Sequence, residues 1–496
     1  MTRTTPPGSL REPSPVISTA APEADGEGRL APGSLTAPHI VFMVIAAAAP
    51  MAVIVAIVPI AFALGNGPGT PGMFLIAALT LALFSVGYTR AIPYVRNAGA
   101  FYAYITRGLG RPVGLVAAYT AMVCYTALSA ATCGALAFFA ADTADRLLGI
   151  SLGWQVWAAV AIALTAVLGF RRITLTARVL GVALLCEVAV LLVLDVAILF
   201  DRGLGAFSLE VFAPSNVFGG VVGVAVIYAF SSFLGFEGTA IYAEEAAEPR
   251  RTIPRATYAA VAVVGVFYVL TTWALLAGAG VDQAAATAAE DPGGFVFALS
   301  DRFIGSASTD VLNVLIVTSS FAAVLAFHNA AARYFYALAR DGFLPAPLAR
   351  THPRHQSPYV AGLVQVTVLA MIVAGFAIAG LDPLTNLSTA MTGFGAVGLM
   401  ALLAITSLAV LVFFWRRGER GWAVTVAPAL ATAGLTAATV LALVNYPSLT
   451  GSTSDVINNL PWLHLLVIAA ALAVAFWMRA NRPARYAAMG TTRVDG

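Results

Sequence analysis

Residues 228–256 read YAFSSFLGFEGTAIYAEEAAEPRRTIPRA. The stretch begins as an apolar helix, but Ser231, Ser232 and Gly235 interrupt it and the ionisable Glu237 follows. It closes in a charged elbow that runs from Glu244 and Glu245 to Arg250, Arg251 and Arg255. The bilayer core offers no water to an unpaired backbone group or a charge. A weak, polar point at membrane depth therefore persists only where it lines a cavity or packs against protein. Helices interrupted near the midplane are one way in which secondary transporters form substrate sites.

The 496-residue chain is 60% hydrophobic and only 10% charged. A soluble domain of average composition carries about a quarter charged residues. Twelve apolar runs have the length to span a bilayer: residues 39–64, 73–94, 112–141, 154–170, 177–200, 217–243, 257–280, 309–339, 359–380, 385–415, 422–446 and 461–479. A hydrocarbon core of about 30 Å takes about 20 helical residues, so the run at 154–170 is short. We number these runs as spans 1 to 12.

All 27 basic residues are arginine. With the N-terminus inside, the inner loops hold seventeen of them, and the outer loops hold only Arg146, Arg202 and Arg302. The positive-inside rule then places both termini in the cytoplasm and supports an even number of spans. The net charge of +3 follows from this asymmetry, and no basic patch suited to nucleic acid is present. Cys124, Cys133 and Cys186 all fall inside spans, without metal-ligand spacing, and read as buried structural thiols. Residues 1–38, rich in Pro, Ser, Thr and Gly, read as a disordered tail. The outer segment GGFVFALSDRFIG, within 281–308, reads as an amphipathic helix lying over the outer face.

Span 1 is interrupted at Ala49-Pro50-Met51. Pro50 removes an amide donor and crowds the preceding turn, so it should kink or open the helix. The breaks in spans 1 and 6 occupy matching places if spans 1–5 and 6–10 are two repeats.

Glu187 lies nine positions past Arg178, about 13 Å along a helix axis and so close to mid-membrane. A carboxylate there must pair, bind a cation or stay protonated, as a coupling residue or as a hydrogen-bonded structural one. Asp195, nearer the outer end, is expected to be solvated. Glu237 reads as a gate or as a pin on the broken helix. In span 8, Thr318, Ser319 and Ser320 are either back-bonded hydroxyls or hard-cation ligands, and His328 is an interhelical contact before it is a proton relay. Thr392-Gly393-Phe394-Gly395 in span 10 permits close helix packing. No phosphate loop, HExxH or G-x-S-x-G is present, so no catalytic role, metal or cofactor is expected.

Three stretches resemble the amino acid–polyamine–organocation (APC) superfamily of permeases, and the likeness extends over nearly all twelve spans. They are FSSFLGFEGTAIYAEEAAEPRRTIPRA at 230–256, NAGAFYAYITRGLGRPVG at 97–114 and TSSFAAVLAFHNAAARYFYALARDGFLP at 318–345. The resemblance implies an all-α integral membrane fold of 12 transmembrane helices. Spans 1–5 (39–200) and 6–10 (217–415) would form a 5+5 inverted repeat with discontinuous helices 1 and 6. Two additional C-terminal helices would follow (422–479), then a cytoplasmic tail at 480–496. The implied function is secondary active transport of an amino acid or related amine across the cytoplasmic membrane, by proton-coupled symport, with sodium as the other candidate ion.

Carried onto this chain, the resemblance puts the substrate on Ala48, Ala49 and Met51 of span 1 and on Phe230, Ser231, Ser232, Leu234 and Gly235 of span 6. Exposed amides would hold a carboxylate and carbonyls an ammonium. Ion coupling would fall to Glu187 with Thr318, Ser319 and Ser320, and gating or structural roles to Glu237 and Pro50. Members usually have a Gly-rich break in span 1. Ala-Ala-Pro-Met at 48–51 departs from it and keeps an amine or polyamine importer open beside the amino acid permease; an amino acid exchanger is the further alternative to symport. The position of Glu187 is a lysine in some proton-coupled members. A sensor on the same scaffold would carry an output domain, which tails of about 38 and 17 residues do not suggest.

Overall fold

The fold is that of a computed structural model, which describes residues 37–94, 100–170, 176–237, 248–352, 357–450 and 454–489. The N-terminal tail to residue 36, the start of the 97–114 motif and the acidic pair Glu244–Glu245 lie outside the described residues. The main helices are α1 (Ala37–Ala48), α2 (Pro50–Leu64), α3 (Thr70–Ala91), α4 (Ala100–Leu109), α5 (Arg111–Leu148), α6 (Trp154–Phe170), α7 (Thr176–Arg202) and α8 (Val222–Ser231). They continue as α9 (Pro249–Ala279), α10 (Ala284–Glu290), α11 (Phe295–Phe303), α12 (Ser306–Arg340), α13 (Tyr359–Ile378), α14 (Thr389–Arg416), α15 (Ala427–Val444), α16 (Leu463–Asn481) and α17 (Pro483–Ala488). Among the described residues nine helices are long and apolar enough to cross a membrane, and α2, α6 and α8 are shorter apolar helices. This is a multi-pass, all-helical membrane protein.

Helices in lipid gain little from the hydrophobic effect on meeting one another, so close packing must hold them together. α5 is the centre of the bundle: 83% of its apolar window is buried, against 22% for α16 and 28% for α13. Glycines admit the close crossings. A Cβ on Gly108 of α4 would sit 2.2 Å from the Ala409 carbonyl oxygen of α14, and one on Gly395 would press Leu128 and the Cys124 carbonyl of α5. The predicted packing role of Gly393 and Gly395 therefore holds. Gly108→Ala is expected to cost about 1–3 kcal/mol through forced separation of α4 and α14, read as an earlier thermal transition in detergent.

The two interrupted spans are tied together at the end where α2 finishes and α8 begins. The Val221 amide donates to the Gly65 carbonyl at 2.9 Å, and the buried Asn66 side chain donates to the Val217 carbonyl at 2.9 Å. The 281–308 segment forms α10 and α11. Phe295, Val296 and Leu299 of α11 are buried, with Phe295 edge-on to Phe62 of α2 at 5.8 Å. It packs onto the bundle rather than onto lipid. At the other end α17 docks on the start of α5, where Arg111 donates to the Ala487 carbonyl at 2.7 Å. Cys124 and Cys133 are buried as expected, but Cys186 is exposed. Its face of α7 is turned away from the bundle, and hydropathy alone does not tell a lipid-facing position from a core one.

Candidate functional site

The site starts from a defect in one helix. Ala49 has φ 45° and ψ 68°, and it is the sole non-glycine with positive φ among the described residues. α1 stops at Ala48 and α2 restarts at Pro50. Proline suits a first helical position because its missing amide needs no partner there. The left-handed region costs an L-residue about 1–2 kcal/mol, which outweighs the extra entropy lost by glycine, about 0.5–1 kcal/mol. Ala49→Gly should therefore stabilise the fold slightly, raising the thermal transition; a fall would mean that the strain is not borne there.

Both sides of the break are capped by side chains. Tyr268 of α9, fully buried, donates its hydroxyl to the Ala48 carbonyl at 3.3 Å. Glu187 of α7, 3% exposed, accepts a hydrogen bond from the Ser319 hydroxyl of α12 at 2.8 Å and faces the Met51 amide at the start of α2. A carboxylate at the first turn of a helix is favourable, since the free amides there carry partial positive charge. One acidic side chain thus joins α2, α7 and α12 at membrane depth. Tyr268 is a further titratable group within electrostatic reach of Glu187.

The three hydroxyls of span 8 do not share a face, because consecutive helical residues point about 100° apart. Ser319 meets Glu187. Ser320 is buried with its hydroxyl oxygen unpartnered among the described residues. Thr318 is on an exposed face and back-bonds to the Leu315 carbonyl at 2.9 Å, so it is not with the other two.

The sixth span is broken where its sequence is weak. α8 ends at Ser231, residues 232–235 form turns, and Gly235 has φ 113°, a conformation open to glycine without a steric penalty. Ser231 and Ser232 both donate to the Tyr228 carbonyl, at 3.0 and 2.7 Å. Phe230 and Leu234 are buried. Glu237, 1% exposed, accepts from the Gly235 amide at 2.8 Å and from the Tyr125 hydroxyl of α5 at 2.6 Å. It latches the broken segment to the central helix.

The two breaks are linked through Tyr268, whose ring lies edge-on to Phe233 at 5.6 Å while its hydroxyl holds Ala48. Neither Tyr268 nor Tyr125 stood out in the sequence. The signal was there, since a tyrosine in an apolar run needs a partner for its hydroxyl. Asp195 is not solvated as expected: it accepts from Thr271 of α9 at 2.7 Å, because α7 leans on α9 there. His328 is the interhelical contact that was expected, bonded to Gln365 of α13. Gly169 and Gly362 leave room for its ring.

Comparison with known proteins identifies the family. The family model described as "Amino acid permease" matches residues 39–484. The chain is 26% identical over 339 residues to the methylthioribose transporter of Bacillus subtilis, covering 63% of this chain and 71% of the relative. It is 25% identical over 333 residues to the branched-chain amino acid permease BcaP of the same organism, covering 62% and 67%. An uncharacterized transporter of Mycobacterium tuberculosis, Rv1999c, is 29% identical over 348 residues, covering 66% and 70%. A match over this much of its length shows that the chain belongs to the amino acid permease family, and so to the APC superfamily.

Proposed function

We propose that this protein is a proton-coupled secondary transporter of an amino acid or a related small molecule. It would work by alternating access in the cytoplasmic membrane, with twelve spans, both termini inside and spans 1–5 and 6–10 as inverted repeats. The substrate would sit between the two breaks, against Ala48, Ala49 and Met51 on one side and Phe230, Ser231, Ser232, Leu234 and Gly235 on the other. The observation that carries the reading is the buried Glu187 carboxylate, which faces the Met51 amide and accepts from Ser319. Gain or loss of one proton there changes what holds α2 to α7 and α12, and those are elements that must shift relative to one another when access alternates.

The same contact bears on the substrate. The Met51 amide, which the family resemblance assigns to a substrate carboxylate, is faced by the protein's own carboxylate. An amino acid would have to displace Glu187 from it, most easily when Glu187 is protonated. A substrate without a carboxylate would leave the contact in place, and methylthioribose, in the name of one relative, belongs in that class. Thermal stabilisation of the purified protein by branched-chain amino acids, polyamines and methylthioribose, in acidic and neutral buffer, separates the two, since a ligand of the folded state raises the transition by mass action. Stabilisation by amino acids, stronger in acid, is the expected result. No stabilisation by any of the three classes would contradict the proposed site.

A further inference from the structure

Two cavities at the arginine-rich end of the bundle meet at one side chain. The first, about 820 Å³, lies between the end of α3, the start of α9 and the connection from α14 to α15, and is lined by Arg90, Tyr94, Tyr258, Arg420 and Trp422 among others. The second, about 510 Å³, is an apolar trough between α3 and α9, lined by Leu75, Leu79, Tyr258, Val266 and Leu270. Tyr258 belongs to both, and its hydroxyl shares a hydrogen bond of 3.0 Å with Thr89 of α3. Leu79 and Val266 are 57% and 60% exposed, so the trough is open to the side, toward lipid.

The charges of the first cavity are unbalanced. Among the described residues Glu419 is the one carboxylate in its lining, and Arg417 takes it at 2.8 Å. Arg90 and Arg420 are exposed and make no ion pair among the described residues. Trp415 and Trp422 are 65% and 60% exposed, as interfacial tryptophans are at headgroup level. From Arg90 to Leu75 α3 rises about 22 Å, so the two adjoining cavities together reach from the interface well into the hydrocarbon. A free phosphate would fill only the polar part and a neutral lipid would leave two arginines unanswered. Guanidinium groups match phosphate geometry, and basic pockets between membrane helices suit anionic headgroups.

We propose that these adjoining cavities bind one anionic glycerophospholipid, with its phosphate between Arg90 and Arg420 and an acyl chain passing Tyr258 into the trough between α3 and α9. The lipid would brace α9, the helix that carries Tyr268 to both breaks.

The test is native mass spectrometry of the delipidated full-length protein, titrated with phosphatidylglycerol and with phosphatidylcholine of the same chains. Two interfacial arginines supply a preference for the anionic lipid of about thirtyfold, and this is the expected result for the first molecule bound. Combined Arg90→Gln and Arg420→Gln should bring the preference close to one. Ala262→Trp, which fills the trough from a residue that lines it, should weaken retention of the first phosphatidylglycerol. Equal binding of the two lipids by the unaltered protein would overturn the proposal without recourse to any variant. So would displacement of phosphatidylglycerol by inorganic phosphate together with full retention in Ala262→Trp, which would mark an anion site without an acyl chain.

Discussion

Glu187→Gln is expected to abolish accumulation driven by a pH gradient while leaving the protein folded. Glutamine keeps an acceptor oxygen for the Met51 amide and the Ser319 hydroxyl, the two donors that meet Glu187, so the packing of α2, α7 and α12 should survive. What it lacks is a proton that can be gained on one side and lost on the other. One pH unit is worth about 1.4 kcal/mol per proton, so one-proton symport can accumulate substrate about tenfold per unit of gradient. The unaltered protein in liposomes should approach that ratio when the outside is acidic and export when the gradient is reversed. Glu187→Gln should stop at a ratio of one in both directions, with binding retained. Full accumulation by the variant would remove Glu187 from the coupling role and leave it as the cap of a broken helix.

The second large effect is expected at Glu237. Its carboxylate takes up the Gly235 amide and the Tyr125 hydroxyl in a site closed to water. Glu237→Leu strands both donors, at about 1–3 kcal/mol for each buried group left unsatisfied, so a loss of roughly 2–6 kcal/mol is expected from the two. Tyr125→Phe takes the hydroxyl donor from one buried Glu237 oxygen and should cost about 1–3 kcal/mol. Because the two residues touch, the double variant should be more stable than the sum of the single losses implies. Thermal unfolding of the four proteins in one detergent closes the cycle. Strict additivity would mean that the Tyr125–Glu237 bond does not latch the sixth span.

Much of this was legible in the sequence because lipid permits few backbone solutions. Apolar runs located the long helices, although α5 runs on to Leu148 and α9 begins at Pro249, because polar residues at a helix end leave the apolar run without ending the helix. A proline after a run of alanines located the opening of span 1, although the residue that takes the strain is Ala49 rather than Pro50. Glu187 was conspicuous as a carboxylate at membrane depth with no sequence neighbour to pair with. Its partners were less so. Ser319 stood beside Thr318 and Ser320 as an undivided polar cluster, and only helix rotation separates the residue that meets Glu187 from the one on the outer face. Tyr268 and Tyr125 are far from the breaks in sequence and reach them through tertiary packing, which periodicity does not encode. Asp195 and Cys186 were misplaced for a shared reason: hydropathy gives a residue's depth in the bilayer and not which neighbour, helix or lipid, its face meets.

The most direct test of the account is to follow protons and substrate together. Liposomes holding the purified protein and an internal pH dye, with no imposed gradient, should acidify inside when a substrate found in the stabilisation screen is added outside, and the acidification should match uptake proton for molecule. Uptake without any internal acidification, or uptake that requires sodium instead, would contradict proton symport through Glu187.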